Sequence, residues 1–129
     1  MEKLMDHIFD ENQPIYLQIK QRISAAILRG DYGPGDKLPG IVEMAMEFKV
    51  NHNTIQRVYM ELIRDGIAVS RRGEGTFVTE DRPTLQKMNT ELQEYLLENF
   101  VREMQRLGHS ADELTEILNN YLRSRPTQE

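Results

Sequence analysis

Cysteine is absent from this sequence of 129 residues. Its absence excludes disulfide scaffolds, Cys-ligated zinc, iron–sulfur clusters and thiol nucleophiles. The sequence also lacks any apolar run near the roughly 18–20 residues that a membrane-spanning helix needs. Charges alternate with single apolar residues over the first thirteen positions, so the apolar centre of a signal peptide is missing too. These absences favour a cytoplasmic protein with no membrane partner.

Patterns of residues typical of metal and catalytic sites are missing as well. The three histidines, His7, His52 and His109, are far apart in the sequence, and none has the spacing of metal ligands. No local arrangement of serine, histidine and aspartate suggests a nucleophile with its base. We therefore expect no catalytic residue, no metal and no cofactor, and we do not expect an enzyme.

Charge is unevenly distributed along the chain. The formal net charge is −5, but residues 14–78 carry nine basic and seven acidic side chains. The remaining residues carry seven basic and fourteen acidic side chains. A mildly basic middle between acidic ends leaves room for a local basic face, which is what a nucleic-acid partner requires.

Residues 14–79 have the pattern of a winged helix-turn-helix. After an arm over residues 1–13, apolar spacings of three and four predict a helix that ends at Gly30. A loop, a short helix after Pro39 and a tight connection lead to a third helix, with Asn51 as its N-cap and Gly66 beyond its end. The period then changes to two around a turn at residues 72–75, which predicts a hairpin. This order of elements is typical of the winged helix-turn-helix.

The remainder predicts a linker over residues 80–83 and a two-helix region over residues 84–125. Gly108 separates the two helices, and Ser110 with Glu113 forms a capping box for the last helix. The expected fold class is mainly α with a small β-hairpin: an N-terminal winged helix-turn-helix, followed by a C-terminal two-helix dimerisation region.

The outward face of the third helix carries side chains that can read bases. Asn and Gln can bond an adenine edge in bidentate fashion, and His can donate to guanine. In the hairpin, Arg71 and Arg72 can pair with phosphates, while Gly73 lets the backbone approach a duplex. A merely solvated helix face and an ordinary tight turn remain alternative interpretations of these two segments.

Residues 30–78 resemble the DNA-binding domain of GntR-family bacterial transcription regulators. The resemblance is carried by five motifs: Pro34-Gly35-Asp36-Lys37-Leu38-Pro39, Glu43-Met44-Ala45, Val50-Asn51-His52-Asn53-Thr54-Ile55, Glu61-Leu62 with Asp65-Gly66, and Arg72-Gly73-Glu74-Gly75-Thr76-Phe77-Val78. The opening Pro14-Ile15-Tyr16-Leu17-Gln18-Ile19 and the short tail are similar to the YtrA subfamily. The resemblance implies a dimeric repressor that binds double-stranded DNA at a near-palindromic operator.

The family's DNA contacts come from the starts of the second and third helices and from the wing. The residues expected to contact DNA here are Lys37, Gly40, Val42, Asn51, His52, Asn53, Thr54, Gln56, Arg57, Arg71, Arg72, Gly73 and Thr76. Many members have Ser at position 40 and Arg at position 42, and the valine in this chain cannot donate a hydrogen bond. Base reading therefore shifts to the third helix, which favours an A·T-rich half-site.

The two C-terminal helices are too small to enclose a ligand pocket of several hundred Å³ by themselves. Their apolar stripes must be buried against something, and a partner subunit is the favoured candidate; folding back onto the winged domain is the alternative. The expected dimer interface is Leu92, Leu96, Phe100, Met104, Leu114, Ile117, Leu118 and Tyr121.

Three functions stay open at this point. The leading one is a sequence-specific transcription regulator, a homodimeric repressor of a transporter-type operon by resemblance to its subfamily. A protein-docking module would have no DNA affinity. A sensor would bind an unidentified small-molecule effector at the dimer interface, which is compatible with regulation.

Overall fold

The computed structural model describes residues 12–126, so the arm predicted over residues 1–13 falls almost entirely outside the described part. The elements are α1 (Ile15–Arg29), α2 (Ile41–Phe48), α3 (His52–Arg64), β1 (Ala68–Arg71), β2 (Gly75–Val78), α4 (Arg82–Arg106) and α5 (Ala111–Ser124). The chain divides into two units between Lys87 and Met88, within α4. The predicted fold class, mainly helical with one small hairpin, is confirmed.

The core of the first unit forms where α1 and α2 pack on α3 and where α3 meets β1. Ile19 and Ile23 of α1 and Ile55, Val58 and Leu62 of α3 are completely inaccessible to solvent. Their spacings of three and four place them on one face of each helix, and burying that face stabilises the unit. Ile63, which the sequence pattern also places on the buried face, is instead exposed in the last turn of α3.

The predicted C-terminal ends of α1 and α3 are confirmed. Gly30 and Gly66 follow α1 and α3 with φ values of 94° and 80°, the left-handed conformation that ends a helix and favours glycine. Lys49, at the end of α2, also has a positive φ, of 58°. This residue makes the turn between α2 and α3 tight enough for a helix-turn-helix.

The hairpin pairs β1 with β2 in antiparallel register, with Arg71 opposite Gly75. A third segment lies along the other edge of β2. The amide of Leu38 donates to the carbonyl of Thr76 at 2.8 Å, and the amide of Val78 donates to the carbonyl of Asp36 at 2.8 Å. Strand β2 is thus bonded on both sides, which fixes the wing to the chain that enters α2.

The predicted linker over residues 80–83 is too long. Helix α4 begins at Arg82, because the carboxylate of Asp81 accepts bonds from the amide and the hydroxyl of Thr84. Pro83 is tolerated there, since the first turn of a helix has no partner for its amides. The linker therefore ends at Asp81, and residues 82 and 83 belong to the helix.

The second unit contains the rest of α4, a turn at Gly108 with φ 94°, and α5. The capping box is confirmed on the Glu113 side, where the amide of Ser110 donates to Oε1 of Glu113 at 2.8 Å. That hydrogen bond, with a smaller contribution from the neighbouring His109 side chain, holds the pKa of Glu113 below its usual range. Among the described residues of this unit, only Met88 and Leu114 are buried.

Within residues 12–126, no helix has both the length and the apolar character needed to cross a membrane. The same residues contain no cluster of three or more histidine and carboxylate side chains that could hold a metal ion.

Candidate nucleic-acid interface

Helix α3 separates its residues into a buried and an open face. Ile55, Val58 and Leu62 are buried, whereas His52, Asn53, Gln56 and Arg57 are exposed on the other side. Thr54 is half-buried beside them. The first two turns of the helix therefore present polar side chains outward, in the position that a recognition helix uses for base contacts.

Asn51 has a structural task at the start of this helix. Its Oδ1 accepts a bond of 2.6 Å from the amide of Asn53, which makes it the N-cap. A bidentate contact with adenine needs that oxygen as the acceptor for the N6 amino group. The cap thus competes with base reading by Asn51 and leaves His52, Asn53 and Gln56 as the side chains without a structural task.

An open depression of about 360 Å³ lies at the start of α2. Lys37, Gly40, Val42 and Thr76 line it, so the fold brings together four of the predicted DNA-contacting residues from three separate segments. The amide of Gly40 donates to Oε1 of Glu43 at 3.0 Å, which caps the start of α2.

The wall of this depression is held by Tyr59, whose hydroxyl donates to the carbonyl of Pro39 at 2.6 Å. Burial raises the pKa of Tyr59 far above its ordinary value, so the hydroxyl remains a donor throughout the physiological range.

The two wing arginines have different surroundings. Arg71 lies over the ring of Phe77, with Cζ 4.3 Å from the ring centre, and its Nη2 is 3.8 Å from Oε2 of Glu80. Within the described part of the chain, the exposed side chain of Arg72 makes neither an ion pair nor a hydrogen bond. Gly73 follows with φ 75° and with open space around its Cα. Arg72 is therefore the wing cation that is available to a phosphate.

Arg57 is restrained on the α1 side of α3. Its Cζ lies 3.5 Å from the centre of the Tyr16 ring, and its Nε is 3.5 Å from Oε2 of Glu61. Nζ of Lys20 in turn lies 3.1 Å from Oε1 of Glu61 and 3.0 Å from Oδ2 of Asp65. The sequence does not reveal this contact of Tyr16, which appears there only in the opening segment that is similar to the YtrA subfamily.

The charges of this network shift two pKa values. Burial by itself lowers the pKa of Lys20 and raises that of Asp65. The hydrogen bond and charge attraction between the two groups, joined by Glu61 and Arg64, outweigh burial. The pKa of Lys20 therefore lies above its ordinary value and that of Asp65 below, so α1 and α3 are joined by a pair that is charged at neutral pH.

The predicted dimer residues differ in exposure within the single chain. Leu114 is buried, and Leu92, Phe100, Met104 and Ile117 are half-buried. Leu96, Leu118 and Tyr121 are exposed. The second unit thus presents apolar side chains that its own described residues do not cover.

Comparison with known proteins identifies the family. The family model described as "Bacterial regulatory proteins, gntR family" matches residues 15–78. The HTH-type transcriptional regulator YhcF of Bacillus subtilis is 43% identical over 117 residues, which is 91% of this chain and 97% of YhcF. The transcriptional repressor YtrA of the same organism is 44% identical over 71 residues, which is 55% of each chain.

Solved structures agree with this assignment. A GntR family transcriptional regulator from Listeria monocytogenes has a TM-score of 0.78 and 37% identity, and the match covers 87% of this chain and 98% of that one. The AraR DNA-binding domain in complex with operator ORE1 has a TM-score of 0.51 and 32% identity over 56% of this chain and 90% of that domain. The relatives are DNA-binding transcription regulators, several of them named as repressors, and not enzymes. This chain belongs to the GntR family of bacterial transcription regulators.

Proposed function

We propose that this protein is a homodimeric repressor that binds a near-palindromic operator in front of a transporter-type operon. The observation that carries the proposal is the open face of α3. His52, Asn53 and Gln56 are exposed on a helix whose opposite face is buried, and none of the three side chains has a structural task. The buried face alone packs the helix into the fold, so the polar face is free to bind DNA.

Base reading comes from α3 in this proposal. Asn53 and Gln56 suit the donor and acceptor pair of adenine, and His52 can donate to guanine. Val42 is exposed at the start of α2, where it can contact only a thymine methyl group. The half-site is therefore A·T-rich.

Phosphate binding positions the protein on the duplex. Arg72 at the wing and Lys37 beside α2 supply cations on either side of β2, and Arg57 supplies a third on α3. Gly73 lets the wing backbone come close to the duplex. Contacts of this kind carry no sequence information, but they fix the orientation in which α3 enters the major groove.

Dimerisation explains the uncovered apolar side chains of the second unit. A two-fold axis would repeat α3 at a spacing of roughly 34 Å, which is one turn of the double helix. Leu96 and Leu97 offer a matched test, since both lie on α4 and they are 61% and 59% exposed. Only Leu96 is on the predicted interface, so L96E should give a monomer in sedimentation experiments and L97E should remain a dimer. If both variants sediment like the wild type, the predicted interface is wrong.

Operator binding is tested by titration. The protein is added to DNA from its own upstream region, with scrambled DNA as competitor, at two salt concentrations. We expect competitor-resistant binding to a near-palindromic stretch, and loss of affinity when either half-site is scrambled. Equal, weak binding to both DNAs would contradict a specific repressor and favour a docking module.

Repression of a transporter-type operon, which the subfamily resemblance suggests, is tested by a reporter fused to the bound promoter. Higher expression in the presence of the protein would mean activation. A small-molecule effector would appear as a compound that releases the operator.

A further inference from the structure

Tyr16 of α1 and Arg57 of α3 form a stacked pair. The guanidinium carbon of Arg57 lies 3.5 Å from the centre of the Tyr16 ring, which is the distance of direct contact between two flat groups. A cation over the face of an aromatic ring is attracted by the ring's electron density. The ring therefore restrains the guanidinium from one side.

Glu61 restrains the same guanidinium from a second side. Its Oε2 is 3.5 Å from Nε of Arg57, and its Oε1 accepts a hydrogen bond of 3.1 Å from Lys20. Because Lys20 also bonds to Asp65, the carboxylate that faces Arg57 is itself held in place. Two residues of α1 thus determine where this side chain of α3 lies.

The restrained guanidinium still has donors to offer. The side chain of Arg57 is 59% exposed, and among the described residues only its Nε faces an ion-pair partner. A guanidinium has five N–H donors, so those on the two terminal nitrogens remain for a ligand. Stacking on a ring leaves the edge of the planar group open for paired bonds to phosphate oxygens.

We infer that Tyr16 is a positioning residue for DNA binding, whose ring holds Arg57 in the orientation in which its guanidinium meets a backbone phosphate. The inference rests on the proposed function. A phosphate is favoured over a base because the ring draws the guanidinium to the α1 side of α3, away from the first turn of that helix. Prior restraint matters because a free arginine side chain loses rotamer freedom when it binds, and a stacked one has already lost part of it.

The test measures the affinity of full-length variants for operator DNA and for scrambled DNA. The variants are Y16A, Y16F, R57A and the double variant Y16A/R57A. Y16A should weaken binding to both DNAs by about threefold to tenfold, because phosphate contacts are independent of sequence. Y16F keeps the ring and should bind within twofold of the wild type. In the R57A background, Y16A should cost nothing further, and R57A should lower the slope of log affinity against log salt by about one.

Two controls separate positioning from folding. I15A changes an exposed neighbour of Tyr16 and should leave DNA affinity unchanged. In NMR spectra without DNA, the side-chain protons of Arg57 should be shifted upfield by the ring in the wild type and Y16F, and not in Y16A. An equal loss from Y16A with and without Arg57, or no loss from Y16A at all, would overturn the inference.

Failure of the proposed function gives a different result. If the wild type binds operator no more tightly than scrambled DNA, the specific repressor is wrong, while the comparison of Tyr16 variants still decides the phosphate contact on either DNA. If the wild type binds neither DNA, both proposals are overturned.

Discussion

A Cβ atom at Gly75 would lie 2.7 Å from Cε of Lys37, closer than side-chain carbons approach one another. Gly75 also has a φ of 129°, which L side chains rarely adopt. The glycine at this end of β2 therefore does two things: it allows the local backbone conformation, and it lets the lysine stem cross the strand. Because Cε is near the end of a flexible and exposed side chain, an added Cβ would displace the lysine and not the strand.

Replacing Gly75 by alanine should destabilise the fold. We expect G75A to lower the free energy of unfolding by about 1–3 kcal/mol because an alanine is strained at φ 129°, whereas the flexible end of Lys37 can move away from the added Cβ. Urea denaturation measures it, with G33A as a control, since Gly33 has no positive φ and a Cβ there meets only an ordinary contact of 3.5 Å with Asp36. In a K37A background the loss should be nearly the same, because the backbone strain remains. A clearly smaller loss in the K37A background would mean that the lysine contact, and not the backbone, causes the destabilisation.

Stability should fall in acid because of the pair Lys20–Asp65. The pKa of Asp65 is lowered in the folded protein, so the pair contributes fully above the ordinary value of 3.8 and is lost as the pH falls through the lower, folded value. After solvent screening we expect a loss on the order of 0.5–1 kcal/mol. The free energy of unfolding, measured from pH 6 to pH 2, should depend less on pH in D65N than in the wild type. E94Q removes an exposed carboxylate of α4 and should keep the wild-type slope.

Gln56 should contribute to base discrimination. Q56A is expected to lose about 1–3 kcal/mol of binding free energy at the correct operator and to tolerate substitution at one base position, because a bidentate contact disappears. Titrations with operators substituted one base pair at a time measure this. Q93A removes the same kind of side chain from α4 and should change nothing. Unchanged specificity in Q56A would contradict the placement of α3 in the groove.

Arg72 and Arg71 should differ in their effect on DNA binding. R72A should weaken binding to every DNA and lower the salt slope by about one, since its guanidinium has no other partner in the described part of the chain. R71A should have a smaller effect, because a terminal nitrogen of Arg71, the kind that would donate to a phosphate, already faces the carboxylate of Glu80 at 3.8 Å. Salt-dependent titrations on scrambled DNA compare the two. A larger loss in R71A would reverse these roles.

Local patterns explain why so much of the fold was predictable. The ends of α1 and α3 depend on Gly30, Asn51 and Gly66, and capping is settled by atoms a few residues apart. The start of α4 lies earlier than the sequence predicts, for a related reason. The polar segment around Pro83 predicts a linker, but proline is allowed in a first turn and Asp81 supplies the cap.

Contacts between distant segments were beyond prediction from spacing. Nothing in the sequence shows that Lys37 lies under Gly75 or that Tyr16 covers Arg57, because neither pair shares an element. The difference between Arg71 and Arg72 is of the same kind, since it depends on Phe77 and Glu80 being close to only one of them.

The sequence by itself determined the order of the elements, the buried faces of the helices and the family, because periodicity, caps and short motifs are local properties of the chain. Only the tertiary structure decided which of the predicted DNA-contacting side chains remain available. Arg71 lies over the Phe77 ring with a terminal nitrogen near Glu80, whereas Arg57 is stacked on Tyr16 with its terminal nitrogens open. Arg72 has no such partner within the described part of the chain. The physical reason is that the availability of a polar side chain depends on what lies within a few ångströms of it, and those neighbours come from other elements of the fold.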